Sequence, residues 1–156
     1  MNDRVDPQSL LQTPVLGARL EAVIRPLLRL LEEVTGLHST YFTLIDEQAG
    51  VQQVLYARNS GSLQLPEGLS VPWEDTLCRR AILEGQRYTA DVASCWGDSE
   101  AARELGLQTY LSQPIRLGDE TLLGTLCAAS DQAIEVSAEA METLDTFAEL
   151  IARYVD

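Results

Sequence analysis

The chain contains no lysine: its 11 basic residues are all arginine, they face 24 acids, and the formal net charge is −13 over 156 residues. A surface so acidic repels phosphate backbones and anionic lipid, so neither nucleic acid nor a membrane is an expected partner. The missing lysine itself reads as compositional bias rather than mechanism. His38 is the only histidine, which excludes a zinc site built from several imidazoles and a triad with a second histidine in reserve. Cysteine is scarce as well. Cys78, Cys95 and Cys127 are odd in number, widely spaced and lack a CxxC pair; this is neither a disulfide framework nor a zinc signature, and it suits a reducing cytoplasm. No apolar run approaches the roughly 18 residues that cross a bilayer. The start, MNDRVDPQSLLQTP, lacks the basic and apolar regions of a secretory signal.

What is present centres on Thr109 to Ser130, TYLSQPIRLGDETLLGTLCAAS. Two apolar, β-prone arms flank a polar turn, the form of a long antiparallel hairpin. Side-chain alternation puts Leu111, Gln113, Ile115 and Leu117 on one face and Tyr110, Ser112, Pro114 and Arg116 on the other. The second arm, Leu122 to Ala129, is almost uncharged on both faces, so it is expected mid-sheet and covered on both sides. Gly118 is expected to make the turn with Asp119 and Glu120, while Gly124 within the arm implies a bulge or a close backbone approach. Pro114 cannot donate to a ladder, so one flank of its strand is expected to be unpaired, with room there for a pocket.

Residues 1 to 15 are expected as a polar, flexible lead-in and residues 16 to 156 as one domain. From Leu16 the stripe Leu20, Ile24, Leu27, Leu31, Val34 predicts an amphipathic helix stopped by Gly36, with a kink or fresh start at Pro26. Ser39–Asp46 and Val51–Arg58 read as a first hairpin, and 59 to 67 as a loop. Leu69–Trp73 is then a strand, and Asp75–Leu83 a short helix with Leu77, Cys78, Ala81 and Ile82 inward. A strand over Arg87–Val92 leads to a helix capped by Asp98 or Ser99. Ser137 caps a closing helix with Met141, Leu144, Phe147, Ile151 and Tyr154 on one stripe. The resulting class is α+β: an antiparallel sheet, terminal helices packed on one face, and short helices and loops walling a pocket on the other.

The element order, with VPWEDTLCRRAILEG, YTADVASCWGDSEAARELGLQTYLSQPI and LLGTLCAAS, resembles a GAF domain, a PAS-related fold. More narrowly it resembles the GAF half of bacterial proteins in which this domain precedes a GGDEF diguanylate cyclase. The likeness runs from Leu16 to Tyr154. No GGDEF stretch follows, so the cyclase active site is not in this chain, which is either a free-standing protein or one domain of a longer one. The resemblance implies a cytoplasmic sensing or regulatory module in bacterial signal transduction, rather than an enzyme, with a diguanylate cyclase or similar output beyond the C-terminus. GAF domains hold cyclic nucleotides, bilins, haem or small metabolites between the sheet and the short helices, so an unknown small molecule is the implied partner. The residues implied to wall that space are Tyr41 or its neighbour Phe42, Trp73, Leu77, Cys78, Asp91, Trp96, Ser112 and Cys127.

Each has a plainer reading beside it. The tryptophans read equally as packing, Cys78 and Cys127 as small buried apolar residues, Asp91 as a turn or cap residue, and His38 as structural. Arg79 and Arg80 beside Glu74 and Asp75 read as a solvated helix face rather than an anion clamp. A different class is also open: some free-standing GAF proteins reduce free methionine sulfoxide with pocket cysteines, and Cys78 lies near one such position. Against it, Cys95 falls too early in its loop. Bilin attachment at Cys78 requires a histidine beside it, where His38 does not stand, and the NKFDE pattern of cyclic-nucleotide-binding members is missing. Finally, apolar residues beyond one stripe on both terminal helices, Leu28 and Leu30 in the first, Phe147, Leu150 and Val155 in the last, predict a parallel homodimer.

Overall fold

The computed structural model describes residues 14–155, so most of the expected lead-in lies outside the described residues. The elements are α1 (Pro14–Thr35), β1 (Ser39–Asp46), β2 (Val51–Asn59), β3 (Ser70–Pro72), a 3-10 turn (Trp73–Asp75), α2 (Leu77–Glu84), β4 (Tyr88–Thr89), α3 (Val92–Trp96), α4 (Glu100–Leu105), β5 (Thr109–Arg116), β6 (Leu122–Ser130) and α5 (Ala138–Val155). One antiparallel sheet runs in the order β3-β2-β1-β6-β5-β4. The near-chargeless second arm, β6, is central, and every residue from Leu122 to Ser130 is buried, as its two-sided apolar pattern requires.

The two faces carry separate cores. Phe42 and Leu44 of β1, Leu111 and Ile115 of β5, and Leu126 and Ala128 of β6 meet Leu20, Ile24, Leu28 and Leu31 of α1 and Leu144, Ala148 and Ile151 of α5. On the other face Tyr41, Val54, Tyr110, Cys127 and Ala129 meet Leu77, Cys78 and Ala81 of α2 and the Leu63–Leu65 loop. At roughly 1.5–3 kcal/mol per fully buried large aliphatic side chain, each face has enough to hold its own layer.

Several expectations are corrected. α1 runs unbroken through Pro26, because the helix is pinned along its length to the sheet. Its buried stripe is Leu20, Ile24, Leu28, Leu31 rather than one through Val34, which is exposed. In α5 the inward positions are Ala140, Leu144, Ala148 and Ile151; Tyr154 points out. The strand at Arg87–Val92 shrinks to two residues, since Asp91 caps the new helix α3 by accepting from the Ser94 amide. The β5–β6 turn forms over Gly118, Asp119 and Glu120 as expected, with Glu120 as its left-handed residue at φ 70°. The open flank at Pro114 is present: β4 pairs with β5 only at Tyr110 and Leu111, and the cavity described below lies elsewhere.

Candidate functional site

A cavity of about 80 Å³ lies between the β1–β2 face, α2, α4 and the strand-connecting loops. Its floor comes from alternate residues of the central strands. Tyr41 and Thr43 of β1 sit opposite Cys127 and Thr125 of β6, and Tyr110 of β5 lies on the same face. β2 bulges at Leu55, since the neighbours Phe42 and Thr43 pair with Tyr56 and Val54; Val54 and Gln52 thereby lie under the cavity while Tyr56 faces the terminal helices. Asn59 folds the following loop back: its amide donates to the Leu65 carbonyl at 3.0 Å and accepts the Leu65 amide at 3.0 Å. Leu65 thereby becomes a wall. Thr76 caps α2 by accepting from the Arg79 amide, setting Leu77 and Cys78 in the first turn, facing the sheet.

The floor is a connected polar network inside an otherwise apolar space. Gln52 Nε2 donates to Thr43 Oγ1 at 2.7 Å and to Thr125 Oγ1 at 3.2 Å, and the two threonine hydroxyls lie 2.7 Å apart. Cys127 Sγ donates to Thr125 Oγ1 at 3.1 Å. Cys78 Sγ is 2.6 Å from Tyr110 Oη and 3.7 Å from Cys127 Sγ. The adjoining Cys127 thiol first, then the Thr125 and Tyr110 hydroxyls, draw the Cys78 thiol below its ordinary value against the opposing effect of burial. Burial first, and Cys78 second, pushes the Cys127 thiol up. Burial likewise raises Tyr41 and Tyr110, so both phenols are neutral donors at ordinary pH.

Of the residues singled out from the sequence, Tyr41, Leu77 and Cys78 line the cavity, and Cys127 stands directly behind Cys78. Phe42 faces the terminal helices instead. Trp96 is buried but packs edge-on against Tyr110, ring centres 5.9 Å apart, and donates to Glu84 Oε1. Trp73 opens the 3-10 turn and borders an open surface depression with Arg79 and Arg116. Asp91 is an exposed cap. Ser112 is buried opposite Cys127 but outside the cavity walls. Arg80 forms a two-pronged pair with Asp98, leaving no anion clamp with Arg79. His38 Nδ1 bonds Ser130 Oγ. Thr43, Gln52, Val54, Leu65 and Tyr110 are walls that the sequence pattern does not single out; Tyr110 alone carries a signal, its place on the Ser112 face of the hairpin. Among the described residues no group of three or more His, Cys, Asp or Glu is arranged to hold a metal ion, and no helix is long and apolar enough to cross a membrane.

Comparison with known proteins fits this architecture. Diguanylate cyclase DgcP of Escherichia coli (strain K12) is 46% identical over 136 residues, which make up 87% of this chain and 40% of that protein. Among solved structures, the cyanobacteriochrome receptor PixJ superposes with TM-score 0.73 at 14% identity, covering 88% of this chain and 95% of that one. The GAF domain of a two-component sensor histidine kinase from Bacillus halodurans gives 0.67 at 19% identity, covering 87% and 92%. The family model for the GAF domain matches residues 17–156, and the chain belongs to the GAF domain family.

Proposed function

We propose that this domain senses a small, largely apolar molecule in the cavity beneath β1 and β2, and that occupancy controls a diguanylate cyclase or similar output through the terminal helices. The observation carrying this is a cavity whose exposed lining is mostly apolar over a hydrogen-bonded polar floor, the form in which a protein takes up an apolar guest and orients it by a few polar atoms. Its 80 Å³ is about half the volume of a cavity that admits benzene. A haem, bilin or cyclic nucleotide far exceeds it. The proposed contacts are Tyr41, Leu77 and Cys78, with Gln52 and Tyr110 supplying hydrogen bonds.

The route outward follows from strand alternation. Tyr41 and Thr43 touch the cavity while Phe42 and Leu44 between them support the helix layer; on β6, Cys127 and Leu126 divide in the same way. A guest that shifts β1 against β6 therefore shifts what α1 and α5 rest on. Native mass spectrometry of freshly purified protein is expected to show a retained guest smaller than benzene. Ala102→Leu, which fills the cavity from α4, is expected to lose it with the circular dichroism spectrum unchanged. Retention by both proteins, or by neither, sinks this reading.

The 3.7 Å spacing of Cys78 and Cys127 favours a second reading, reduction of free methionine sulfoxide by pocket cysteines. It ranks below sensing because Asp75 is the only charged residue lining the cavity among the described residues, so nothing there neutralises the substrate carboxylate. No turnover is expected with methionine sulfoxide and a thiol reductant. Turnover that vanishes in Cys78→Ser would reverse the ranking.

A further inference from the structure

Cys78 and Cys127 come from distant parts of the chain, the first turn of α2 and the middle of β6, yet their sulfurs lie 3.7 Å apart. A disulfide holds its sulfurs about 2.05 Å apart, so bonding requires this adjacent pair to close further. The two thiols are not equivalent. Cys78 borders the cavity, whereas Cys127 is wholly buried behind it. Around Cys78 Sγ stand Tyr110 Oη at 2.6 Å and Thr125 Oγ1 at 3.5 Å, hydroxyls able to donate to a thiolate. Small buried apolar residues would need no such shell. We propose that Cys78 and Cys127 form a hydroperoxide-reactive dithiol, with Cys78 attacking and Cys127 resolving, that closes to a disulfide in the cavity wall.

Hydrogen peroxide is about the size of two water oxygens, and a water occupies roughly 30 Å³ in the liquid, so the cavity admits it. The Cys78 thiolate attacks one peroxide oxygen and the O–O bond breaks. The departing hydroxide takes up the proton that Cys78 gave up and leaves as water, so Cys78 becomes a sulfenic acid. Cys127 sulfur then attacks Cys78 sulfur; the S–S bond forms, the S–O bond breaks, and the hydroxyl leaves with the Cys127 proton as a second water. Two thiols are oxidised and one peroxide is reduced to two waters. The product ties the start of α2 to the central strand and removes Cys78 from Tyr110. It therefore reshapes the cavity whether or not a guest occupies it, and the inference does not rest on the ligand reading.

Cys95 is exposed and supplies an internal comparison. The whole chain is treated with hydrogen peroxide, unfolded, alkylated and digested without reductant. The expected result is, before alkylation, an intact mass lower by about 2 Da, the two hydrogens lost on forming one disulfide, recovered with dithiothreitol, and after digestion a linked peptide pair containing Cys78 and Cys127. Cumene hydroperoxide, too large for the cavity, is expected to leave the pair reduced at the same dose. In Cys127→Ser, treated with hydrogen peroxide and then unfolded in urea with dimedone present, a sulfenic acid is expected to be trapped at Cys78. The wild-type measurement stands alone if that variant fails to fold. Oxidation confined to Cys95, with Cys78 and Cys127 both still alkylated, overturns the proposal, as does equal cross-linking by the bulky peroxide.

Discussion

Replacing Gly124 by alanine is expected to lower stability by at least about 3 kcal/mol, at the upper end of what overpacking a core costs, and by more than any other glycine-to-alanine change among the described residues. A Cβ at this position would fall 1.8 Å from the Thr43 carbonyl oxygen and 2.8 Å from its carbon. Both are backbone atoms of β1, itself held between β2 and β6, so no side chain can swing aside. Relief requires parting the two central strands, and with them the Thr43–Thr125 bond on the cavity floor. Gly36 is the comparison: its φ of +74° is strained for alanine, but nothing lies within 4 Å of the added atom, so the cost there is about 1–2 kcal/mol. Urea unfolding of both variants decides the matter, since a chain of this size holds only about 5–15 kcal/mol in all. A loss for Gly124→Ala no larger than for Gly36→Ala would show that the strands part easily.

The role of Gly124 is legible in the sequence because a glycine inside an apolar strand gives up side-chain packing, and a close backbone approach is what repays that loss. The hairpin around it is legible for a similar reason: alternation within one strand is local, and Leu111, Ile115, Tyr110 and Ser112 lie on the faces that the period of two assigns. The cavity is harder to read because its floor is assembled across strands. Whether Tyr41 or Phe42 faces it depends on the pairing of Tyr41 with Cys127, and Gln52 and Val54 arrive there only through the bulge at Leu55 of β2. Nothing in the sequence of β2 marks Leu55 as the residue left without a partner. Trp73 and Trp96 stand out as large rings, yet size does not say which side of a short turn a ring occupies. Asp91 shows the opposite case, where the plain reading of an acid after a strand, as a helix cap, describes its place. Pro26 misleads because the penalty for an interior proline is local, whereas α1 is held by packing along its whole length.

A mass of two chains is expected in light scattering at micromolar concentration, and Leu30→Glu combined with Leu150→Glu is expected to return it to that of one, 17.2 kDa. After α1 and α5 have covered the sheet, each keeps a second apolar stripe: Leu30 and Val34 remain 46% and 44% exposed, Leu150 and Tyr154 47% and 41%. Leu27 and Phe147 are only partly buried beside them. Half of a full burial term for eight such side chains across two subunits is on the order of 6–12 kcal/mol, comparable to the roughly 4–15 kcal/mol that association costs. The partly covered Leu27 and Phe147 add to the favourable side, so the balance tips toward a reversible rather than a permanent dimer. Charge opposes it. Two copies at −13 each repel, and that repulsion is screened by salt while apolar burial is not weakened by it. Dimerisation is thus expected to strengthen as salt rises, the reverse of an interface held by ion pairs. A parallel arrangement sets the two α5 ends side by side, so a shift of β1 against β6 in either subunit is expected to move both. One chain's mass at every concentration and salt, in the unsubstituted protein, would leave the cavity without this route to an output.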